Sequence, residues 1–574
     1  MNAATQGLVR LPVWRARFVL AALLAAFWVL GVRSLYLQAL QTDFLQEKGD
    51  ARYSRLIEAP ATRGRILDRN GEALAVSTPV KSVWAIPADA ELSGAERRKL
   101  ASLLALERNE LAKKLADTSR DFVYLKRQVS PDIAESVEAL GLKGIYQHRE
   151  YRRYYPGGEV TAHVIGFTGV DDAGQEGIEL AHQASLGGKP GSRRVIKDRL
   201  GRIVEDVESI REAQDGRDLT LSIDSKIQNL AFGALKTAVA QHHAKAGAII
   251  ALDVRTGEVL ALANVPSYNP NNRASLSGAQ LRNRVITDLF EPGSTLKPFT
   301  LALAIERGKL TPATLVQTAP GHLTIADYTI HDTHPGGTLN AAQVLQKSSN
   351  VGMAKIALSM PREAIWNLFR HVGFGTAPQL GFPGEAAGKL RHYRSWRPIE
   401  QATMAYGMGI SVSLVQLAHA YTVFARDGEL VPLSLVKTGT AASGEKLLST
   451  ETARAMRAML ELAVQPGGTG PRARIMGWRV AGKTGTAHKQ ENGGYAPDKF
   501  VASFVGFAPA SAPRVVVAVM IDEPSAGEHY GGIVAAPVFA QVTQGALRMM
   551  GVPHDAPLEP LETPAEGEEA KENT

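Results

Sequence analysis

Downstream of residue 219, strand-like runs stand at the two ends of a long segment, and helical patterns fill the space between. Residues 246–252 and 258–263 are short apolar runs joined by Asp253-Val-Arg-Thr-Gly257, a hairpin pattern. Far along the chain, 479–487, 500–507 and 514–521 are three more such runs, with short connections rich in Gly, Pro and Ser. Strands buried in a core must pair their backbone groups. The runs therefore predict one antiparallel sheet completed by both ends of the segment, with helices packed on it. Residues 219–223 alternate as a further strand. Asp224 or Ser225 can cap a helix to about residue 243, and 531–550 is an amphipathic closing helix.

Three short motifs lie within this unit. Ser294-Thr-Leu-Lys297 follows the breakers Pro292 and Gly293 and precedes an apolar helix. Pro298 has no amide to give a helix interior, so the helix must start nearby, with Ser294 and Lys297 on one face of its first turn. A lysine amine can then reach the serine hydroxyl, and it serves as a base only if burial or nearby cations keep it neutral. Ser348-Ser-Asn350 falls between two helical stretches, where a hydroxyl could relay a proton and the Asn amide could hold a peptide backbone. Lys483-Thr-Gly-Thr486 precedes two strand patterns, and Gly482 and Gly485 would let an edge strand approach a ligand closely.

Each motif has a near double: Ser443-Gly-Glu-Lys446, Ser267-Tyr-Asn269 and Lys437-Thr-Gly-Thr440. Context separates them. The first has no apolar helix after it, the second precedes the nucleophile among prolines, and the third runs into a Gly/Ser turn. The ordered set Ser294, Lys297, Ser348 and Lys483 supplies a nucleophile, its base, a proton relay and a carboxylate clamp.

At 574 residues the chain has room for two or three domains. A net charge of +7 comes from basic residues scattered among acidic ones, and no basic block interleaved with aromatics supports nucleic-acid binding. The absence of cysteine excludes disulfides, thiol catalysis and Cys-based zinc sites. Residues 18–32 are apolar, follow Arg10, Arg15 and Arg17, and are continued past Arg33 by Leu35, Tyr36, Leu37 and Leu40. No small-x-small site closes this run, so it reads as an uncleaved anchor over 18–40 rather than a signal peptide. The basic residues place 1–17 in the cytoplasm and everything after about residue 41 outside it.

Residues 41–218 read as mixed α/β. Arg63-Gly-Arg-Ile-Leu-Asp-Arg-Asn-Gly71 offers an Asn-Gly turn between extended runs, and 93–117 and 131–140 have helical spacing. Glu176 and Glu179 in Gly174-Gln-Glu-Gly-Ile-Glu179 resemble an acid/base pair, but without a convergent His they read as a turn and helix start. The stretch 552–574 is acidic and proline-containing, a disordered tail.

On these motifs, and on the longer strings Thr287-Asp-Leu-Phe-Glu-Pro-Gly-Ser294, Gln346-Lys-Ser-Ser-Asn-Val-Gly352, Tyr406-Gly-Met-Gly409 and Val480-Ala-Gly-Lys-Thr-Gly-Thr486, the chain resembles the class B penicillin-binding proteins over nearly its whole length. Within them it is most similar to the division-specific FtsI type. The resemblance implies a multidomain α/β protein: a transmembrane anchor (18–40), an elongated mixed α/β pedestal of dimerisation type (41–218), and a transpeptidase domain (219–551). That last domain would carry a mainly antiparallel five-stranded sheet of the serine β-lactamase kind.

The resemblance also implies a peptidoglycan D,D-transpeptidase of the division septum, inhibited by β-lactams, on the periplasmic side of the inner membrane. Ser294 would be the acyl-ester nucleophile, Lys297 its base and Ser348 the proton relay. Asn350, Lys483, Thr484, Gly485 and Thr486 would bind substrate, and the amides of Ser294 and Thr486 would form an oxyanion hole. No metal or cofactor is implied. Partners would be peptidoglycan stem peptides on a lipid-linked precursor, β-lactams, a glycosyltransferase of the FtsW type and other division proteins. An elongation-type transpeptidase is the nearest alternative. A β-lactam sensor or a vestigial scaffold would acylate without cross-linking.

Overall fold

The computed structural model describes residues 12–40, 54–197, 203–274, 276–333, 335–491 and 493–559. Most of the cytoplasmic tail and of the acidic tail expected from the sequence therefore lies outside the described residues. An α-helix over Val13–Leu35 continues through a π-helical turn at Tyr36–Leu40. Its stretch Val13–Ala39, 27 residues, is the one helix among the described residues long and apolar enough to cross a membrane.

The chain divides into two compact units: Met1–Ala61, Pro79–Glu150 and Lys189–Asp215 in one, Thr62–Thr78, Tyr151–Gly188 and Gly216–Thr574 in the other. Residues 62–78 and 151–188 thus fall in the same compact unit as the segment from Gly216 onward. The reason is a buried ion network inside the larger unit. Glu179 accepts from Arg63 Nε at 2.6 Å and from Arg153 Nε at 2.7 Å, all three side chains being buried. Arg153 also donates to Gly64 O at 2.8 Å and Arg63 to Glu179 O at 2.8 Å. Residues 62–78 and 151–188 are held together through this carboxylate. The strand expected over 219–223 shortens to Leu219–Thr220, which pairs in parallel with Ile66–Leu67 rather than joining the main sheet.

In the smaller unit, Val83, Ala85 and Leu125 project from its strands onto helices Gly94–Leu103, Arg108–Ala116 and Pro131–Glu138, meeting Leu100, Leu104, Leu111 and Val137. Trp84 stacks between Phe122 and Tyr146, with centroids 4.8 and 4.7 Å away. A separate three-stranded sheet is formed by Ser54–Ala59, Gly191–Lys197 and Ile203–Arg211.

The larger unit is built on five antiparallel strands: β1 (Ala246–Asp253), β2 (Val259–Val265), β3 (Ala481–Glu491), β4 (Gly494–Ala508) and β5 (Val515–Asp522), in the order β2-β1-β5-β4-β3. The two chain ends of the unit meet where β5 pairs with β1, Ala518 opposite Ile250. Alternate residues serve opposite faces. Ile250, Leu252, Val516 and Met520 pack with Phe299, Tyr421 and Phe424, from helices α2 (Lys297–Glu306) and α5 (Leu414–Ala425). Ile249, Ala251, Val517 and Val519 pack with Leu235 and Phe539, from α1 (Ser225–Gln241) and α6 (Ala536–Met549). Asp224 caps α1 by accepting the amides of Lys226 and Ile227. The closing helix expected over 531–550 is broken into Gly531–Val534 and α6.

Burial of His163 should make this unit acid-sensitive, as should that of His419, whose imidazole burial also pushes down. His163 Nε2–H donates to Gln280 O at 2.7 Å, and burial pushes its imidazole down to about 4 from an ordinary 6.5. Folding therefore favours the neutral ring. The stability this gives is complete above pH 6.5 and is lost as pH falls from 6.5 through about 4, a loss of about 3 kcal/mol. Melting curves between neutral and acid pH should show it, and His163→Gln should flatten the slope; an equally steep slope in the variant would exclude this histidine as the cause.

Candidate active site

Ser294 sits in a single 3-10 turn, Gly293–Leu296, that runs straight into α2 with Pro298 in its first turn. The serine thus precedes the α-helix rather than lying in its first turn. Residues three apart eclipse in a 3-10 turn, so Ser294 and Lys297 still share a side. Both are buried.

Ser348 lies between α3 (Ala341–Gln346) and α4 (Asn350–Leu358), as its flanking patterns predict. Its φ is +57°, a left-handed conformation uncommon outside glycine. Such a residue persists only where its surroundings over-determine it. Here Lys297 Nζ donates to Ser348 O at 2.5 Å and to its Oγ at 3.0 Å, and Ser348 Oγ donates to Ser294 Oγ at 3.0 Å. Lys297, Ser348 and Ser294 form one hydrogen-bonded chain.

Asp332 anchors the other side of this loop. Its Oδ1 accepts the amides of Asn350 (2.6 Å) and Val351 (3.0 Å), and its Oδ2 accepts Ser349 Oγ–H (2.6 Å). A carboxylate at the N-terminus of α4 also suits the helix dipole. Asp332 follows a small hairpin, His322–Ile325 with Tyr328–His331, well upstream of the motif, and a lone Asp there carries no sequence signal. Asn350 Nδ2 donates to His331 O at 3.4 Å, while its Oδ1 is buried with no hydrogen-bond partner among the described residues. A backbone N–H of a bound peptide would satisfy such an acceptor.

Lys483, Thr484, Gly485 and Thr486 lie on β3, at the edge of the sheet. Only glycine fits at 485: a Cβ there would stand 2.5 Å from Ser503 Oγ and 2.8 Å from Pro292 O. That contact lays the edge strand along the turn that carries Ser294. Gly407 closes the other flank, where a Cβ would come within 2.2 Å of Gly293 O. Lys483 is fully buried, and its Nζ donates to Thr469 Oγ1 (3.1 Å) and Thr484 Oγ1 (3.0 Å), hydroxyls themselves 2.7 Å apart. Thr469 was not legible in the sequence. It comes from the Gly468-Thr-Gly470 turn, which meets β3 only in the folded chain. Thr486 Oγ1 accepts Gly531 N–H at 3.0 Å.

The doubles stand elsewhere. Glu258 Oε1 accepts the amides of Thr438 (2.7 Å) and Gly439 (3.0 Å), and Lys437 Nζ donates to Arg69 O at 2.9 Å. Glu445 and Lys446 form a short exposed strand, and Ser267 Oγ donates to Glu159 O. Glu179 lies in the buried ion network, a structural place rather than a catalytic one.

Residues 247–544 match the family described as the penicillin binding protein transpeptidase domain, and 58–221 match the penicillin-binding protein dimerisation domain. The chain is 45% identical over 548 residues to a probable peptidoglycan D,D-transpeptidase PenA of Neisseria gonorrhoeae, covering 95% of this chain and 94% of that protein. It is 42% identical over 549 residues to the peptidoglycan D,D-transpeptidase FtsI of Escherichia coli, covering 95% and 93%. The apo TP domain of Burkholderia pseudomallei penicillin-binding protein 3 superposes with a TM-score of 0.55 at 50% identity, covering 59% of this chain and 98% of that one. With a transpeptidase domain, a dimerisation domain and full-length relatives of this kind, the chain belongs to the class B penicillin-binding proteins.

Proposed function

We propose that the chain is a membrane-anchored peptidoglycan D,D-transpeptidase that cross-links stem peptides through an ester on Ser294. The reading rests on one observation above the others: the hydrogen-bonded chain from Lys297 through Ser348 to Ser294, alongside the edge strand that carries Lys483. Lys297 takes the Ser294 proton as Oγ attacks the carbonyl between the two terminal D-alanines. The amides of Ser294 and Thr486 hold the oxyanion, a term of about 3 kcal/mol per donor. The C–N bond breaks as Lys297 returns that proton through the Ser348 hydroxyl to the departing D-alanine nitrogen, and an acyl-enzyme remains. An amine of a neighbouring strand then attacks the ester, forming the cross-link and returning the proton to Ser294. Asn350 holds the donor backbone, while Lys483, Thr484, Gly485 and Thr486 bind the terminal carboxylate, or that of a β-lactam.

The domain roles belong to the same proposal. Residues 1–17 are cytoplasmic, 18–40 anchor the chain in the inner membrane, 41–218 are a non-catalytic pedestal, 219–551 are catalytic and periplasmic, and 552–574 are a tail. Septal work is favoured by likeness to proteins named FtsI, with a polymerase of the FtsW type and other division proteins as partners. Purified chain, lipid-linked precursor and such a polymerase should yield cross-linked peptide with release of D-alanine; penicillin labelling without any cross-link would turn the reading towards a sensor or scaffold. Depletion should give filaments, and spheres would mark an elongation enzyme instead.

Thr469→Val keeps the volume of the side chain but removes the hydroxyl beside Lys483. Capture of a carboxylate-bearing donor or β-lactam should weaken about tenfold, the cost of one charged hydrogen bond. Thr469→Ser should restore it. Equal labelling kinetics in wild type and Thr469→Val would remove Thr469 from the clamp.

A further inference from the structure

Three residues ahead of the nucleophile, Glu291 is buried and collects hydrogen bonds from two separate parts of the chain. Its Oε1 accepts Gly409 N–H at 2.8 Å and Gln490 Nε2–H at 2.8 Å, and the Tyr495 hydroxyl lies 3.1 and 3.0 Å from its two oxygens. Gln490 and Tyr495 are cross-strand partners at the far end of the β3–β4 hairpin. The strand that holds Lys483 and Thr486 is therefore tied to the nucleophile's turn twice, at Gly485 against Pro292 and at Gln490 against Glu291.

Gly409 belongs to a loop that runs back along the same turn. Phe290 and Val412 exchange both backbone hydrogen bonds at 3.0 Å, and Gly293 N–H donates to Gly407 O at 3.3 Å. That loop starts at Tyr406, whose ring lies 5.8 Å from Lys297 Nζ. Among the described residues all three donors to Glu291 are neutral, so the carboxylate balances no charge among them. What it offers is acceptor capacity on both oxygens. An amide would turn one of them into a donor and set it against the groups it faces.

We infer that Glu291 is a positioning residue that sets the spacing between the turn carrying Ser294 and the strand carrying Lys483 and Thr486. This rests on the reading of Ser294 as the acylated nucleophile. An oxyanion hole whose two amides come from those two segments works only if they stand a fixed distance apart. Donors must lie within 2.7–3.1 Å of the oxyanion, and misplacement by about 1 Å costs about 100-fold. Losing the Glu291 tie should therefore slow the chemical step while leaving the carboxylate clamp largely able to bind.

The test is a double-substitution cycle on the full chain in detergent, using labelled penicillin. The saturated acylation rate and the half-saturating concentration are measured separately, together with the melting temperature. Glu291→Gln should lower the saturated rate by about 10- to 100-fold and move half-saturation by less than about threefold. Tyr495→Phe should lower the rate less. The double variant should be no slower than Glu291→Gln alone, because both act through one tie. A Glu291→Gln rate within about twofold of wild type, fully multiplicative effects, or weaker binding with an intact rate would each overturn the inference. Should Glu291→Gln not fold, Tyr495→Phe and Gln490→Ala decide, and wild-type rates in both would overturn it. A wild-type chain that takes no label refutes the Ser294 reading itself. A labelled wild type with an undisturbed Glu291→Gln refutes only the positioning role.

Discussion

Ser294→Ala should abolish covalent capture of labelled penicillin and cross-linking together, with the melting temperature within a degree or two of wild type. The substitution deletes one oxygen from a buried site. Ser348 Oγ loses its acceptor, yet it keeps the hydrogen bond from Lys297 Nζ, so only a modest stability cost is expected, about 1 kcal/mol. The chemical loss is complete, because no ester can form without the hydroxyl. Gel fluorescence for the label and analysis of digested product for cross-links measure the two effects. Label retained on the variant would move the nucleophile elsewhere, and Ser348, 3.0 Å away, would be the first residue to test.

Glu179→Ala should have the opposite signature: a large loss of stability, of about 3–5 kcal/mol, without touching a reacting group. Glu179 is fully buried between Arg63 and Arg153, so removing it leaves two guanidinium groups facing each other in a core with their central acceptor gone. Arg63 would keep its bonds to Asp172 O and Gln183 Oε1, and Arg153 its bond to Gly64 O. Those acceptors are neutral and do not replace the charge. Burial raises the neighbouring Asp172 carboxyl to about 6, against the pull of Arg63 and Arg153, so a second acid is already present. Denaturation of the detergent-solubilised chain, followed by tryptophan fluorescence, should show an earlier midpoint. An unchanged midpoint would mean that Asp172 takes over the charge. Folded Glu179→Ala protein should still label with penicillin at Ser294.

The fold's main sheet was largely legible because its signals are local. The apolar runs at 246–252 and 514–521 are far apart in the chain, yet each reads as a strand from its own residues. The same holds for the helix behind Asp224 and for the Asn70-Gly71 turn. Residues 219–223 show the limit. A period of two identifies extended backbone but not its partner, and Ile66, not the main sheet, took that place. The buried ion network was not legible for a similar reason: Arg63, Arg153 and Glu179 are ordinary charged residues until one carboxylate brings them together.

At the site, the residue types and order of Ser294, Lys297, Ser348, Asn350 and Lys483–Thr486 were readable as three motifs. The groups that hold them were not. Asp332 and Thr469 form no spacing pattern with what they support, and Glu291, although inside the string before Ser294, meets Gly409 and Gln490 only across a loop and a sheet edge.

By itself, the sequence determined which chemistry is available: a serine beside a lysine at a helix start, a relay hydroxyl between two helices, and a lysine on a glycine-bearing strand. Hydrophobic period, breakers and caps act over a few residues, so the sequence carries them directly. Only the tertiary structure decided that Ser348 sits at φ +57°, 3.0 Å from Ser294, and that Lys437 is spent on the Arg69 carbonyl while Lys483 lies beside Thr469. Those outcomes depend on backbone contacts such as Gly485 against Pro292. Such contacts form only once burial of the two apolar layers has pressed distant segments together.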